Sequence, residues 1–161
     1  MSFGYQILGF GAFPNRTTTY AVQRSLVFNR EEDVYLQRAI SGSSTGNTKG
    51  TLSTWIKRTV LGTAVQGIFA ANNGTAGASG GHDAITFNSN DQINWFIAAG
   101  EDDITWAPRF RDTTAYYNFV IAMDTTQSTD TDRVKLYVNG TLITDYQGSP
   151  AHPAEDQVLR G

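Results

Sequence analysis

The chain has 161 residues, of which 40% are hydrophobic and 17% charged, and it contains no cysteine. This length suffices for one domain with a sizeable core, and the hydrophobic fraction excludes an unfolded polar chain. The lack of cysteine excludes disulfides, thiolate metal sites and a cysteine nucleophile. The formal net charge of −3, without a lysine- or arginine-rich stripe, argues against binding to nucleic acid.

Nothing in the sequence predicts membrane insertion. No apolar run approaches the roughly 20 residues that a membrane-spanning helix needs. The first residues also lack the basic segment and the small-residue cleavage site of a signal peptide. Exposure outside a cell would therefore have to occur without a standard secretion signal.

Residues 1–19 are predicted to form an N-terminal arm that precedes a domain at 20–161. The arm is rich in glycine and aromatic residues and carries no charge before Arg16. It is either a terminal strand packed on its own domain or an arm that buries its side chains against a partner, because exposed aromatic clusters mark interfaces. The side chains that would dock are Phe3, Tyr5, Ile7, Leu8, Phe10 and Phe13.

Strand-like segments recur at regular spacing after the arm, without a convincing helix. They are predicted at 20–28, 34–36, 51–58, 65–71, 84–88, 92–99, 104–111 and 116–124. Pro108 interrupts the seventh of these segments, which is therefore expected at a sheet edge. The pattern predicts an all-β fold, an antiparallel sandwich or jelly roll.

A β-hairpin is predicted at Arg133–Thr144. Apolar residues alternate with polar ones on both sides of Asn139-Gly140, and this dipeptide favours a type I′ turn because both positions tolerate positive φ. After Asp145 glycine, serine and proline predominate, and the sequence predicts a loop.

Five segments carry motifs of one family in a constant order. They are Ser25–Asn29 with Tyr35-Leu36, then Thr54–Arg58, Gln66–Ala71, Tyr116–Asp124 and Arg133–Thr144. In that order they resemble the motifs LxFN…YLxR, WSGWVKR, QxLFSA, WYHIVVAVDTT and RVKIYVNGVQVT of concanavalin A-like, laminin G-type jelly-roll domains. The resemblance covers roughly Tyr20 to Tyr146 and is strongest for such domains in the virion proteins of tailed phages, especially marine phages.

The resemblance implies a non-enzymatic structural protein of the virion: a capsid decoration, fibre or tail component anchored by the arm. Its partners would be other virion proteins and further copies of itself. The alternative implied function is a glycan-binding module that recognises a host surface. Domains of this family usually continue with several strands after the hairpin, so the jelly roll is either truncated or completed by a neighbouring chain or by the arm.

No catalytic residue is predicted. A glycoside hydrolase on this fold needs closely spaced carboxylates on one strand, as in an E-x-D-x-x-E pattern, and the sequence has none. The acidic runs at 31–33 and 101–103 are expected to be solvated turns. His82 and His152 are isolated and lack the spacing of metal ligands.

Three aromatic residues are candidates for glycan contact: Trp106, Tyr116 and Tyr117. Trp106 lies in the segment interrupted by proline and is expected to be the most exposed of the tryptophans. Trp55 and Trp95 are expected to pack inside the sandwich.

No cofactor is predicted, with calcium as the alternative that the family resemblance suggests. The candidate ligands are Asp124, Asp130 and Asp132, which lie close together in the sequence. Calcium takes several oxygen ligands, but the spacing of an EF-hand is absent.

Overall fold

The computed structural model describes residues 26–28, 35–38, 47–62, 64–72, 82–97 and 102–158. The chain forms two compact units, Met1–Ser41 and Gly42–Gly161. The predicted arm, including the docking side chains from Phe3 to Phe13, lies outside the described residues. At 26–28 and 35–38 the backbone is irregular and the side chains are exposed, so the strands predicted at 20–28 and 34–36 are not seen in these parts.

Eight strands are described, and all belong to the second unit. They are β1 (Lys49–Ile56), β2 (Gln66–Asn72), β3 (His82–Phe87), β4 (Gln92–Ile97), β5 (Asp102–Arg109), β6 (Tyr117–Asp124), β7 (Val134–Val138) and β8 (Thr141–Ile143). A short 3₁₀ helix at Asp130–Asp132 precedes β7. The strands form two antiparallel sheets, sheet A in the order β1-β6-β7-β8 and sheet B in the order β2-β3-β4-β5. The prediction of an all-β antiparallel sandwich is confirmed.

The core lies between the two sheets and draws side chains from both. Its buried members are Ile85, Phe87, Ile93, Trp95, Ile104, Trp106, Phe110, Phe119, Ile121, Val134 and Leu136. Successive side chains on a strand point to opposite faces, so inward residues recur at every second position. Burial of this apolar surface is the main force that holds the sheets together.

The predicted hairpin is confirmed as β7 and β8. Asn139 has φ 50° and Gly140 has φ 83°, the two positive values that a type I′ turn requires. Val138 pairs with Thr141 across the turn. Val134 and Leu136 point into the core and have no exposed surface.

The edge strand β5 accommodates its proline at an irregularity in the pairing with β4. Gln92 pairs with Arg109 and Asn94 pairs with Thr105. More residues of β5 than of β4 lie between these two pairs, and Pro108 is among them. A proline is tolerated there because the ladder is already interrupted.

The segment after the hairpin, residues 145–158, is here named the closing segment. Its first part runs beside β5 and extends sheet B with main-chain hydrogen bonds: Ala107 N to Asp145 O at 2.9 Å, Gln147 N to Thr105 O at 2.8 Å and Ala151 N to Asp103 O at 2.8 Å. The sequence predicted only a loop here. The segment is irregular in shape, but its backbone supplies part of the pairing that was expected from further strands.

The last part of the closing segment is fixed by two buried polar side chains. Arg133 donates from Nη1 to Pro153 O at 2.8 Å and from Nε to Gln127 O at 2.8 Å. Thr125 is fully buried and donates to Gln157 O at 2.7 Å. These bonds join the segment to the connection between β6 and β7 in sheet A.

A buried ion pair joins the two sheets just after the C-terminal end of β1. Arg58 follows β1 of sheet A, and Asp91 lies in the turn between β3 and β4 of sheet B. Their side chains are each 2% exposed, with 3.0 Å between Arg58 Nη2 and Asp91 Oδ1. The guanidinium also donates to Phe110 O at 2.8 Å and lies 4.2 Å from the centroid of the Phe87 ring.

Asp91 is held by donors from three directions. Besides Arg58, the Gly62 amide donates to Oδ1 at 2.7 Å and Arg111 Nε donates to Oδ2 at 2.8 Å. Burial by itself raises the pKa of Asp91, but the bonds from Gly62, Arg111 and Arg58 outweigh it and lower the pKa below its ordinary value. The carboxylate is therefore ionised in the folded protein.

We expect Asp91→Asn to lower the free energy of unfolding by about 3 kcal/mol, because removing one partner leaves a buried charge uncompensated. Urea denaturation at neutral pH measures this loss. Asp156→Asn is the control, since Asp156 is exposed and its φ of 58° suits asparagine. Its effect should stay within about 0.5 kcal/mol; equal effects of the two substitutions would contradict the assignment.

The same variant should show a weaker dependence of stability on acid pH. The folded pKa of Asp91 is lowered, so the carboxylate stabilises the fold above the unfolded pKa of about 3.9. That contribution is lost as the pH falls through the folded value, because protons bind the unfolded chain first. Urea denaturation at a series of pH values measures this effect. Between about pH 5 and pH 2 the free energy of unfolding should fall less with decreasing pH in Asp91→Asn than in the wild type.

Candidate functional site

The outward side of sheet A carries a row of mostly apolar side chains that are at least partly exposed. Leu52 and Ile56 of β1 pack against the core, so the positions between them, Ser53 and Trp55, point outward. The strand register places the following outward residues side by side across the sheet: Ser53, Val120, Tyr137 and Leu142. We call this side the outer face of sheet A.

Sheet B offers no comparable surface along its strand β3. The outward residues Ala84 and Thr86 are each only 6% exposed. On sheet A, by contrast, Trp55 is 65% and Leu142 42% exposed. The outer face of sheet A is therefore more accessible than the outward side of β3.

One end of this face combines two exposed aromatic rings with polar groups. Trp55 lies opposite Asn118 in the register, and Tyr116, just before β6, is 58% exposed. The ammonium of Lys57 lies 5.7 Å from the centroid of the Tyr116 ring. A largely exposed tryptophan is unusual in a protein whose other tryptophans are buried, and it marks a candidate contact surface.

Hydrogen bonds of backbone groups and asparagine side chains hold this end of the face in a fixed shape. The backbone N–H of Asn118 donates to Asn139 Oδ1 at 2.9 Å, and the backbone N–H of Asn139 donates to Asn118 O at 2.9 Å. The side-chain nitrogen of Asn118 donates to Thr54 O at 3.4 Å. The strands beneath Trp55 are thus tied together, and a ligand would meet a preorganised surface.

Two ion pairs flank the apolar row. Lys49 Nζ lies 3.1 Å from Asp124 Oδ2, and Lys135 Nζ lies 2.9 Å from Asp132 Oδ1. Hydrogen bonds from Thr126 first, then Gln127 and Lys49, hold the pKa of Asp124 far below its usual range. The bond to Asp132 raises the pKa of Lys135.

A cleft of about 310 Å³ opens beside β8, at the border of the outer face. Its lining is mostly apolar and includes Val134, Leu142 and Tyr146, while Asp132 and Lys135 supply charged groups. Burial raises the pKa of Tyr146, helped by the charge of Asp130. Because Leu142 and Lys135 belong to both features, the cleft extends the outer face.

The expectation that Trp106 is exposed is wrong. It has no exposed surface and lies in the core, where its ring is 6.4 Å from that of Tyr146. It lies two positions after Ile104 on the same strand, so both side chains point inward. Trp95 is buried as predicted, whereas Trp55, expected in the core, is on the surface.

Tyr117 also belongs to the core rather than to a glycan site. Its ring packs edge-on against Phe110 at 5.4 Å and lies 5.7 Å from Phe119. Its hydroxyl accepts a hydrogen bond from Asp112 N at 3.1 Å. Of the three predicted contact residues, Tyr116 alone is exposed.

The three aspartates considered as calcium ligands do not form one site. Asp124 pairs with Lys49, Asp132 pairs with Lys135, and Asp130 accepts from the amide of Thr131 at 2.6 Å. The described part of the chain contains no group of three or more histidine or acidic residues placed to hold a metal. Proximity in the sequence did not bring these carboxylates together, because they occupy a strand end and a 3₁₀ helix.

Sequence reasoning missed Asn118, Tyr137 and Leu142 as surface residues of one site. The signal for Tyr137 was present, since it lies between the inward residues Leu136 and Val138 of the predicted hairpin. The neighbours of Tyr137 across the sheet could not be known, because they depend on the pairing of β6 with β1 and β7.

Comparison with known families agrees with this architecture. The Laminin_G_3 family model, described as the concanavalin A-like lectin/glucanases superfamily, matches residues 31–160. The chain belongs to this superfamily. The match includes every described strand and the described closing segment, and it confirms the jelly-roll resemblance. Membership fits a carbohydrate-binding or structural module.

No curated protein and no solved structure matched the chain. Among the described residues, no helix has the length and apolar character needed to cross a membrane.

The placement of the tryptophans can be tested by substitution. Trp106→Ala should lower the free energy of unfolding by about 4 kcal/mol, because it removes a buried ring and leaves a cavity. Trp55→Ala should change it by no more than about 1 kcal/mol, because most of that ring is already in water. Urea denaturation of both variants measures the difference; similar losses would contradict the placement.

Proposed function

We propose that this domain is a non-catalytic carbohydrate-binding module whose binding surface is the outer face of sheet A. The observation that carries the proposal is the exposed indole of Trp55 beside Asn118, with Tyr116 at the same end of the sheet. The flat apolar face of a sugar ring stacks on aromatic rings, and its hydroxyls bond with neighbouring polar groups. The superfamily, which includes lectins, supports the same function.

The carboxylates at the border of this face favour binding over hydrolysis. A glycosidase needs a protonated carboxylic acid of raised pKa to donate to the leaving oxygen. Asp124 has the opposite property, because its bonds to Thr126, Gln127 and Lys49 keep its pKa low. Asp132 is likewise paired with a lysine.

Binding of the purified protein to a panel of polysaccharides tests the proposal. We expect Trp55→Ala to weaken binding about five- to tenfold, because stacking of one ring contributes about 1–1.4 kcal/mol. The matched control is Phe69→Ala, since Phe69 is an exposed aromatic residue (44%) on sheet B. Affinity gel electrophoresis or calorimetry gives the ratio of dissociation constants.

An equal loss in the two variants would contradict the assignment to sheet A. Failure of the wild-type protein to bind any polysaccharide on the panel would overturn the carbohydrate function itself. The denaturation curve of Trp55→Ala shows whether a loss of binding arises from unfolding.

We further propose that the module is displayed on a virion, as a capsid decoration, fibre or tail component. The support is the ordered series of motifs that resembles tailed-phage proteins and the apolar character of residues 1–15. The arm would dock on other virion proteins or on further copies of the chain, and the module would face a host glycan. In this arrangement anchoring and recognition use different parts of the sequence.

Deletion of residues 1–15 should abolish association with the particle and leave polysaccharide binding intact. Co-sedimentation of tagged protein with virions measures the first property, and the polysaccharide panel measures the second. Wild-type occupancy of the truncated protein on virions would show that the arm is not the anchor.

A further inference from the structure

The outer face of sheet A carries three described lysines: Lys49, Lys57 and Lys135. All three occupy outward positions, because they alternate with inward residues on β1 and β7. A face that binds acidic sugars would present such cations free of internal partners and clustered around the carboxylate or sulfate. Whether these lysines have acidic partners within the domain therefore indicates the class of ligand.

Two of these lysines form ion pairs within the domain. Lys49 is paired with Asp124 at 3.1 Å and Lys135 with Asp132 at 2.9 Å. The third, Lys57, has its ammonium 5.7 Å from the centroid of the Tyr116 ring, and its charge also acts on the carboxylate of Asp112. Bonds from Thr114 are the main cause of the lowered pKa of Asp112, and the charge of Lys57 adds to them.

The described arginines of the second unit add no free cation to this face. Arg58 and Arg111 are paired with Asp91 in the junction between the sheets. Arg133 is 9% exposed and donates to carbonyl groups of the closing segment and the β6–β7 connection. Arg109 lies on β5 of sheet B.

On the assumption that the proposed function is right, we infer that the ligand of this face is a neutral polysaccharide rather than a sulfated or uronic-acid glycan. At Lys49 and Lys135 an anionic chain would have to displace Asp124 or Asp132 and then remain beside the displaced carboxylate. The net charge of −3 adds a long-range repulsion of polyanions. A neutral chain meets Trp55, Tyr137 and the surface amides without disturbing any ion pair.

The test compares three probes with the full-length protein: a neutral glucan, a polyuronate and a sulfated polysaccharide. We expect the glucan to bind most tightly, with an affinity that changes less than about twofold between about 50 and about 500 mM NaCl, since no ion pair forms with the ligand. Tighter binding of either acidic probe, with strong weakening by salt, would overturn the inference but leave the carbohydrate function standing. Binding to none of the three would overturn both.

A variant that frees a lysine from its aspartate tests whether the ion pairs determine the class of ligand. Asp124→Asn releases Lys49, so the ratio of sulfated-probe affinity to glucan affinity should rise at least about threefold at low salt. Asp145→Asn is the matched control, because it removes the same charge from an exposed residue whose backbone pairs with sheet B. If the two variants give the same ratio, the lysine–aspartate pairs do not determine ligand class.

Discussion

The two sheets are joined at one end of the sandwich through a buried carboxylate, that of Asp91. Two arginines and a backbone amide converge on it, and one of them, Arg58, comes from the sheet opposite. A buried ion pair is not in itself strongly stabilising, because desolvation offsets much of the attraction. It is, however, specific: Arg58 also donates to Phe110 O, so the end of β1, the β3–β4 turn and the end of β5 can meet in one arrangement only.

This junction also determines which side chains reach the outer face of sheet A. Arg58 points inward, and therefore Lys57 points outward beside Tyr116, two positions along from Trp55. The proposed binding face and the inter-sheet ion pair are thus only a few residues apart in the sequence, from Trp55 to Arg58. A shift of β1 by one residue would exchange Trp55 with a core residue and place Arg58 in solvent. The inward position of Arg58 and the outward position of Trp55 thus require the same register of β1.

Most strands could be predicted from alternation and turn residues, because these patterns reflect local geometry. The hairpin at Asn139-Gly140 is the clearest example. Exposure of individual aromatic residues was predicted less well: Trp55 and Trp106 proved to be reversed, since a local pattern does not show which face of a strand another sheet covers. The role of the closing segment was also missed, because backbone groups, not strand-favouring side chains, make its bonds to β5. Arg133 and Thr125 hold that segment through carbonyl groups, which leave no sequence signal.

The order of the strands has a consequence for how the chain folds. Sheet B is a continuous meander of four neighbouring strands, whereas sheet A joins β1 to β6 across the whole of that meander. Short loops close at little entropic cost, and distant pairings form slowly. During synthesis sheet B can therefore assemble before the partner of β1 has been made, and the face that carries Trp55 becomes complete only once β6, β7 and β8 have followed. The proposed recognition surface is thus assembled after the sheet on the other side of the core.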